Sequence, residues 1–251
     1  MAGVGGGAPD PRLVEHRRIW DEKPVLRAIY ADYHRRLLDA CPPGPLLDIG
    51  GGSAHLKAFR PDAVSVDILP FAGIDVACDA HSLPFPDGHF AGIVMLDVLH
   101  HLDRPVDFLK EAARVLRPGG ALAMIEPGMS AVSYPFFRYL HQEPAEMSAD
   151  PFAPLSRPGA GKDPFDSNQA IPTLLFARAG NRRRLLDVVP ELEPVQTDWL
   201  SLVAYPLSGG FKDWCLLPAS LAGPLIALEG KLPGAVRRLC GFRLFVTLRR
   251  R

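Results

Sequence analysis

Cysteine is scarce in this sequence, and its spacing suggests no pairs. Cys41, Cys78, Cys215 and Cys240 stand far apart, and no two form a CxxC pair. Neither a zinc site nor a disulfide framework is signalled, so no metal site is expected and reduced thiols are the simpler reading. An excess of either charge is also missing: lysine plus arginine equals aspartate plus glutamate at 28 each. No overall field therefore draws the chain to nucleic acid or to an anionic membrane, although a local patch remains compatible with that balance. Long hydrophobic runs are absent too. The longest, Trp214–Leu228, is interrupted by Pro218, Gly223 and Pro224, and it falls short of the ~20 residues a membrane-spanning helix needs. The opening residues, Met1 to Pro11, are rich in glycine, alanine and proline and lack a basic segment followed by an apolar core. They read as a frayed tail rather than a signal peptide, and a cytoplasmic location is expected.

What is present is a chain of 251 residues with 47% hydrophobic content, ample for one buried core. Between Leu13 and Ala40, Ile19, Leu26, Ile29, Tyr30, Tyr33, Leu37 and Leu38 recur at helical spacing. This predicts one helix, or two broken near Pro24, ended by Pro42-Pro43. Short apolar runs then alternate with helical patterns: 45–49, 64–67, 74–78, 92–97 and 121–126. Such alternation predicts a parallel sheet wrapped by helices, because parallel neighbours need a crossover. The best-defined crossover helix is expected from Arg104 to Leu116, with Pro105 in its first turn and Pro118-Gly119-Gly120 stopping it. Residues 128–172 lose all periodicity and gain proline, glycine and aromatics; a segment this long inside a compact domain is usually functional or disordered. A helical stretch over 173–189 and two strands, 195–203 and 242–248, are expected to close the sheet. The division expected is a tail (1–12) and one domain (13–251). That domain comprises a helical cap (13–43), a core (44–127), an insertion (128–172) and a closing part (173–251).

The first strand runs into Leu47-Asp48-Ile49-Gly50-Gly51-Gly52-Ser53-Ala54-His55. A glycine turn here, leading into a helix, lets the backbone bend sharply and a ligand approach closely. Taken alone it is a weak signal. Asp67, 19 residues after Asp48 at the end of the second strand, stands where a carboxylate accepts both hydroxyls of a ribose. Position 55 is histidine where a dinucleotide fingerprint has its third glycine, and the turn begins with an acid. A carboxylate there repels a pyrophosphate and attracts a cation, which favours S-adenosylmethionine, with its ammonium and sulfonium, over a dinucleotide.

The segment Leu47–Gly52 resembles motif I of class I methyltransferases of the type 11 kind, and Cys78-Asp79-Ala80-His81-Ser82-Leu83-Pro84-Phe85-Pro86-Asp87 is similar to their adenine-binding segment. Gly92–Leu102 resembles their fourth-strand motif and Glu111–Gly120 the segment before strand five, so four motifs stand in order over about residues 44–127. The resemblance implies an α/β fold: a doubly wound, seven-stranded, mostly parallel sheet with its last strand antiparallel and helices on both faces. It also implies S-adenosyl-L-methionine as cofactor. Asp48, Gly50, Gly51 and Gly52 would line its methionine end, Asp67 and Ile68 the ribose, Asp79 and Ala80 the adenine, and Asp97 the rim where cofactor and acceptor meet.

Methyl transfer from a sulfonium is an in-line displacement, so positioning supplies much of the rate. His100 and His101, just past the fourth strand, are the nearest candidates to deprotonate a hydroxyl. The same pair also fits a role capping or packing under the loop. The acceptor must be bound outside the shared core, by Trp20, Tyr30 and Tyr33, by residues 128–172, and by residues 211–232. Their composition suggests an apolar pocket, although Phe136, Phe137 and Trp214 equally suit burying the insertion. The fourth strand ends in Leu96-Asp97-Val98, unlike the Asn/Asp-Pro-Pro-aromatic sequence of enzymes that methylate base amines. Arginines 182–184 and 249–251 are short basic runs of the kind usually solvated. A small-molecule acceptor, sugar-bearing or lipid-like, is expected, with oxygen the atom methylated and no nucleic-acid partner. A catalytically silent cofactor-binding module and a protein or RNA methyltransferase remain the rival readings.

Overall fold

Asp10 starts the first helix: its carboxylate accepts the Arg12 backbone N–H at 2.8 Å, and Pro11 occupies the first helical position. In this computed structural model, which describes residues 8–155 and 163–251, helix α1 spans Pro11–Glu22 and α2 spans Pro24–Asp39. Two residues expected in the tail, 11 and 12, are therefore helical, while residues 1–7 lie outside the described ones. Pro24 enforces the break, since Lys23 before it is held extended at φ −108° and ψ 93°.

Strands β1 (Leu46–Ile49), β2 (Val64–Asp67), β3 (Val76–Ala77), β4 (Phe90–Leu96), β5 (Leu116–Pro127), β6 (Leu192–Leu200) and β7 (Arg243–Arg250) form one sheet. Its order is β3-β2-β1-β4-β5-β7-β6. The first five strands are parallel, and β7 runs antiparallel between β5 and β6. This is the expected architecture. The central strand β4 reads Phe-Ala-Gly-Ile-Val-Met-Leu and is buried along nearly its whole length, as a parallel strand covered on both faces must be. Helix α3 (Pro105–Val115) packs Val106, Phe108, Leu109, Ala112 and Val115 inward beside it.

Several boundaries differ from the sequence expectation. The glycine turn does not open a full helix; it leads into a 3-10 turn at His55–Ala58, entered through Ala54 at φ 60°. Pro61 and the start of β2 at Val64 leave too few residues for a longer crossover helix. Strand β5 begins at Leu116, directly after α3, and the Pro-Gly-Gly segment lies within it. A register shift opposite Phe90 and Gly92 absorbs the extra residues. The stretch expected as one helix over 173–189 is two, α5 (Ile171–Phe176) and α6 (Ala179–Val188), separated at Ala177-Arg178. The 128–172 segment is not wholly irregular, since it contains α4 (Ser133–Tyr139). Helices α7 (Ala204–Ser208), α8 (Ala219–Lys231) and α9 (Gly234–Cys240) complete the chain. No helix among the described residues is long and apolar enough to cross a membrane.

Two apolar cores result, one on each face of the sheet. Phe108, Leu109, Leu174, Leu175 and Phe176 fill one, and Leu26, Ile29, Tyr33, Leu37 and Leu217 fill the other. His34 of α2 is buried beside Tyr30 and Phe59, and neither ring nitrogen has a hydrogen-bond partner among the described residues. Burial pushes its pKa from 6.5 down to about 4. The neutral ring is therefore tolerated in the fold, while the unfolded chain takes up a proton below pH 6.5. The stability from this site is present above pH 6.5 and lost as pH falls toward 4. Denaturant titrations at pH 7.5 and pH 4 should show His34→Leu losing about 3 kcal/mol less than wild type over that interval. Equal losses in the two proteins would show that His34 is not buried neutral.

Candidate active site

The carboxyl ends of β1, β2 and β4 meet where the chain order reverses on either side of β1, the place where open α/β sheets bind ligands. A cavity of about 820 Å³ opens there, in the upper part of the size range of small-molecule sites. The turn after β1 forms its floor. Gly50 and Gly51 both donate their N–H groups to the Val66 carbonyl, at 2.9 and 3.0 Å. Gly50 has φ 68°, and a Cβ on it would lie 2.3 Å from a methyl of Val98; at Gly51 it would lie 2.1 Å from the Ser65 hydroxyl. Both positions are closed to any side chain. Asp48 sits beneath the turn, accepting the Ser65 O–H at 2.7 Å, and burial pushes its carboxyl up to about 6.

Asp67 accepts backbone N–H groups from Gly52 and Leu69, each at 2.8 Å, while burial raises its pKa. Its carboxylate thus clamps the glycine turn to the end of β2, with further lone pairs available to a ligand. Across the cleft, Asp79 accepts the His81 backbone N–H at 2.9 Å and faces the His81 ring at 2.6 Å. Burial works to raise this carboxyl, but the hydrogen bonds from His81 bring it below its ordinary value. Asp97 has φ 59°, a strained conformation for a non-glycine residue. Its side chain is held by an ion pair with buried Arg243 and by the Tyr30 hydroxyl at 3.2 Å, and Arg243 also lies over the Tyr205 ring at 4.0 Å.

At the other end of the cavity, Glu126 closes β5 without any exposure to solvent. One of its oxygens accepts the Val98 and Leu99 N–H groups at 2.9 and 2.8 Å, and the other faces His100 Nδ1 at 2.6 Å. Burial drives His100 down and Glu126 up, so the imidazole is neutral, and in the tautomer that carries its proton on Nδ1 it donates to Glu126. That leaves Nε2, 3.7 Å from the Glu143 carboxylate, as the acceptor nitrogen. Glu143 accepts the Ser167 O–H at 2.5 Å and an N–H of Gln169.

The roof is formed by α1 and the loop after α7. Lys23 ties that loop down: its ammonium, with three N–H donors, lies among the carbonyl oxygens of Ser208, Gly210, Lys212 and Trp214 at 2.6 to 3.0 Å. Phe211 in the loop stacks on His16 at 4.6 Å, and Trp20 stacks on His55 at 3.8 Å.

Residues 47–124, from β1 into β5, match a family model described as Methyltransferase domain. Among curated proteins it is similar to the 27-O-demethylrifamycin SV methyltransferase of Amycolatopsis mediterranei, 48% identical over 71 residues, covering 28% of this chain and 24% of that protein. It is also similar to the fatty-acid O-methyltransferase of Mycolicibacterium smegmatis, 39% identical over 85 residues, covering 28% of this chain and 31% of the relative. The chain thus matches only about a quarter to a third of the length of these relatives. Among solved structures, a SAM-dependent methyltransferase of Thermotoga maritima superposes with a TM-score of 0.58 over 96% of this chain and 97% of that one. At 16% identity the likeness is one of fold: the seven-stranded sheet is that of class I methyltransferases.

Every residue singled out from the sequence of the methyltransferase domain lines the cavity: Asp48, Gly50, Gly51, Gly52, Asp67, Ile68, Asp79, Ala80 and Asp97, with His100 and His101. Of the expected acceptor elements, Tyr30, Phe136, Phe137 and Trp214 line it, whereas Trp20 and Tyr33 back it from behind. Phe137 is also buried, so the aromatic pair both packs the insertion and faces the cavity. Phe152 packs against the core without facing the cavity, covered by Arg184, which also pairs with Asp150. Arginines 182–184 and 249–251 lie away from the cavity walls. Sequence reasoning missed Glu126, Glu143, Arg243, Tyr205, Phe211 and Lys23 as contributors. A signal existed only in aggregate: seven of the eight histidines, all except His89, converge on this one cavity.

Proposed function

We propose that this chain transfers a methyl group from S-adenosyl-L-methionine to an oxygen of an apolar small molecule, sugar-bearing or lipid-like. The observation that carries the reading is continuity. The glycine turn, with Asp48, Asp67 and Asp79 spaced along one side, opens into the same cavity as the aromatic and histidine-lined end. In this reading Asp48, Gly50, Gly51 and Gly52 take the methionine portion, Asp67 and Ile68 the ribose, and Asp79 and Ala80 the adenine. Three carboxylates spaced along that side suit a ligand that bears positive charge. Asp97, fixed by Arg243 and Tyr30, stands where the cofactor's methyl group and the acceptor meet. The reaction breaks the carbon–sulfur bond, with its electron pair going to sulfur, and forms a carbon–oxygen bond as the acceptor loses its proton. His100 and His101 stand at the acceptor end and assist that proton's departure. The rest of the catalysis is the alignment of oxygen, carbon and sulfur. Partial similarity to the 27-O-demethylrifamycin SV methyltransferase and to the fatty-acid O-methyltransferase supports an oxygen acceptor.

Isothermal titration with S-adenosylmethionine tests the cofactor assignment. Wild type is expected to bind in the micromolar range, Asp67→Ala at least tenfold more weakly, and Gly50→Val not measurably. Absence of binding by folded wild-type protein would end this reading.

A further inference from the structure

Three potential ligands converge at the acceptor end from two segments distant in sequence: His100 and His101 after β4, and Glu143 from the insertion. One ligand atom from each lies within 4.8 Å of the others, and His100 Nε2 stands 3.7 Å from Glu143. We propose that His100, His101 and Glu143 form a site for a divalent cation of the zinc class, facing the acceptor. Ligand atoms each ~2.1 Å from a shared ion stand roughly 3 to 4.2 Å apart. Side-chain rotations of under an ångström therefore close the set.

The surroundings are those of a ligand set rather than a chance cluster. A metal-bound imidazole almost always donates its other N–H to a carboxylate or carbonyl, which fixes its tautomer and aim. His100 does so to Glu126, which is itself anchored by two backbone N–H groups. Glu143 is held by Ser167 and Gln169. The neighbouring combination of Asp97, His100 and Glu126 fits less well, because Arg243 and Tyr30 already engage Asp97, and Glu126 is spent on the backbone and on the imidazole. Three protein ligands on a wall of an open cavity leave a coordination position for water or for an acceptor oxygen, as catalytic rather than structural sites do. Two imidazoles and one carboxylate suit zinc, cobalt or iron, and not magnesium or calcium, which prefer oxygen ligands. No cysteine takes part, so the cysteine spacing gave no hint of the site.

The cation's role rests on the methyl-transfer reading; its binding does not. An acceptor hydroxyl coordinated to the ion loses its proton to solvent water near neutral pH. The oxygen then attacks the methyl carbon while sulfur takes the electron pair of the breaking bond. His100 and His101 thereby promote the proton's loss as ligands, and no oxidant or reductant is needed.

Metal-free full-length protein is titrated with Co²⁺ by visible absorption, and with Zn²⁺ and Mg²⁺ by calorimetry. Cobalt is expected to give ligand-field bands of an N,O site, zinc to bind in the micromolar range or tighter, and magnesium not to bind. Glu143→Gln, at a partly exposed position, and His100→Ala should each weaken zinc at least tenfold, and His89→Gln, away from the cavity, should leave it unchanged. Circular dichroism establishes that each variant is folded; should His100→Ala fail to fold, Glu143→Gln alone decides. Absence of zinc binding by wild type, or equal binding by wild type and Glu143→Gln, overturns the site. Cofactor titration is read separately, so loss of zinc binding with S-adenosylmethionine binding intact sinks the cation alone. The converse result sinks the cofactor assignment alone.

Discussion

Replacing Arg243 by methionine is expected to lower the melting temperature by roughly 6–20 °C, the shift that about 3–5 kcal/mol produces in a domain of this size. Arg243 is only 3% exposed, and its partner Asp97 keeps a strained left-handed backbone at the tip of β4. Removing the guanidinium leaves that carboxylate with the Tyr30 hydroxyl alone, at 3.2 Å. The larger part of the loss is the cost of a charge left unpaired, not the worth of the pair. A double variant, Asp97→Asn with Arg243→Met, should therefore recover much of the loss in a thermal-denaturation cycle. If the single and double variants melt together, the two side chains are not coupled.

Glu126→Ala is expected to destabilise the fold by about 3 kcal/mol or more, because two buried backbone N–H groups and the His100 Nδ1–H lose their acceptor at once. Glu126→Gln should cost less. Its amide carbonyl still serves Val98 and Leu99, but its NH₂ faces a ring nitrogen that already carries a proton. The His100 tautomer must then reverse, with the proton moving to Nε2. The measurement is denaturant unfolding of both variants, together with the His100 ring ¹⁵N shifts, which report the tautomer. An Ala variant as stable as wild type, or a Gln variant with the wild-type tautomer, would remove Glu126 from its place as the orienting group. Because an Nε2–H is not a ligand, the Gln variant is also expected to bind zinc more weakly than wild type.

The legible and the illegible parts of the site divide along a physical line. Asp48, the three glycines, Asp67 and Asp79 lie next to strand ends, where parallel topology alone brings neighbouring β1, β2 and β3 tips to one edge. Alternating apolar runs were enough to place Asp48, the glycines and Asp67, and the resemblance of residues 78–87 to an adenine-binding segment singled out Asp79. The glycine turn was readable because Gly50 and Gly51 leave no room for a Cβ. The helix expected after it was not found, because the distance to β2 is too short for one. Arg243 and Glu143 gave no local signal. Arg243 reaches Asp97 only because β7 inserts antiparallel beside β5, and Glu143 reaches His100 only because the aperiodic insertion folds over the sheet edge. Lys23 gave no local signal either, yet four carbonyls from residues about two hundred positions away surround its ammonium.

By itself the sequence determined the alternating parallel strands, the crossover helix and the glycine turn, since these follow from hydrophobic period and from glycine at positive φ. Tertiary structure decided how the groups at the other end of the cavity meet, although His100 and Tyr30 were singled out from the sequence. These groups, Glu126, His100, Glu143, Arg243 and Tyr30, come from five separate stretches of chain, and they acquire partners and shifted proton affinities only once folding removes water from around them.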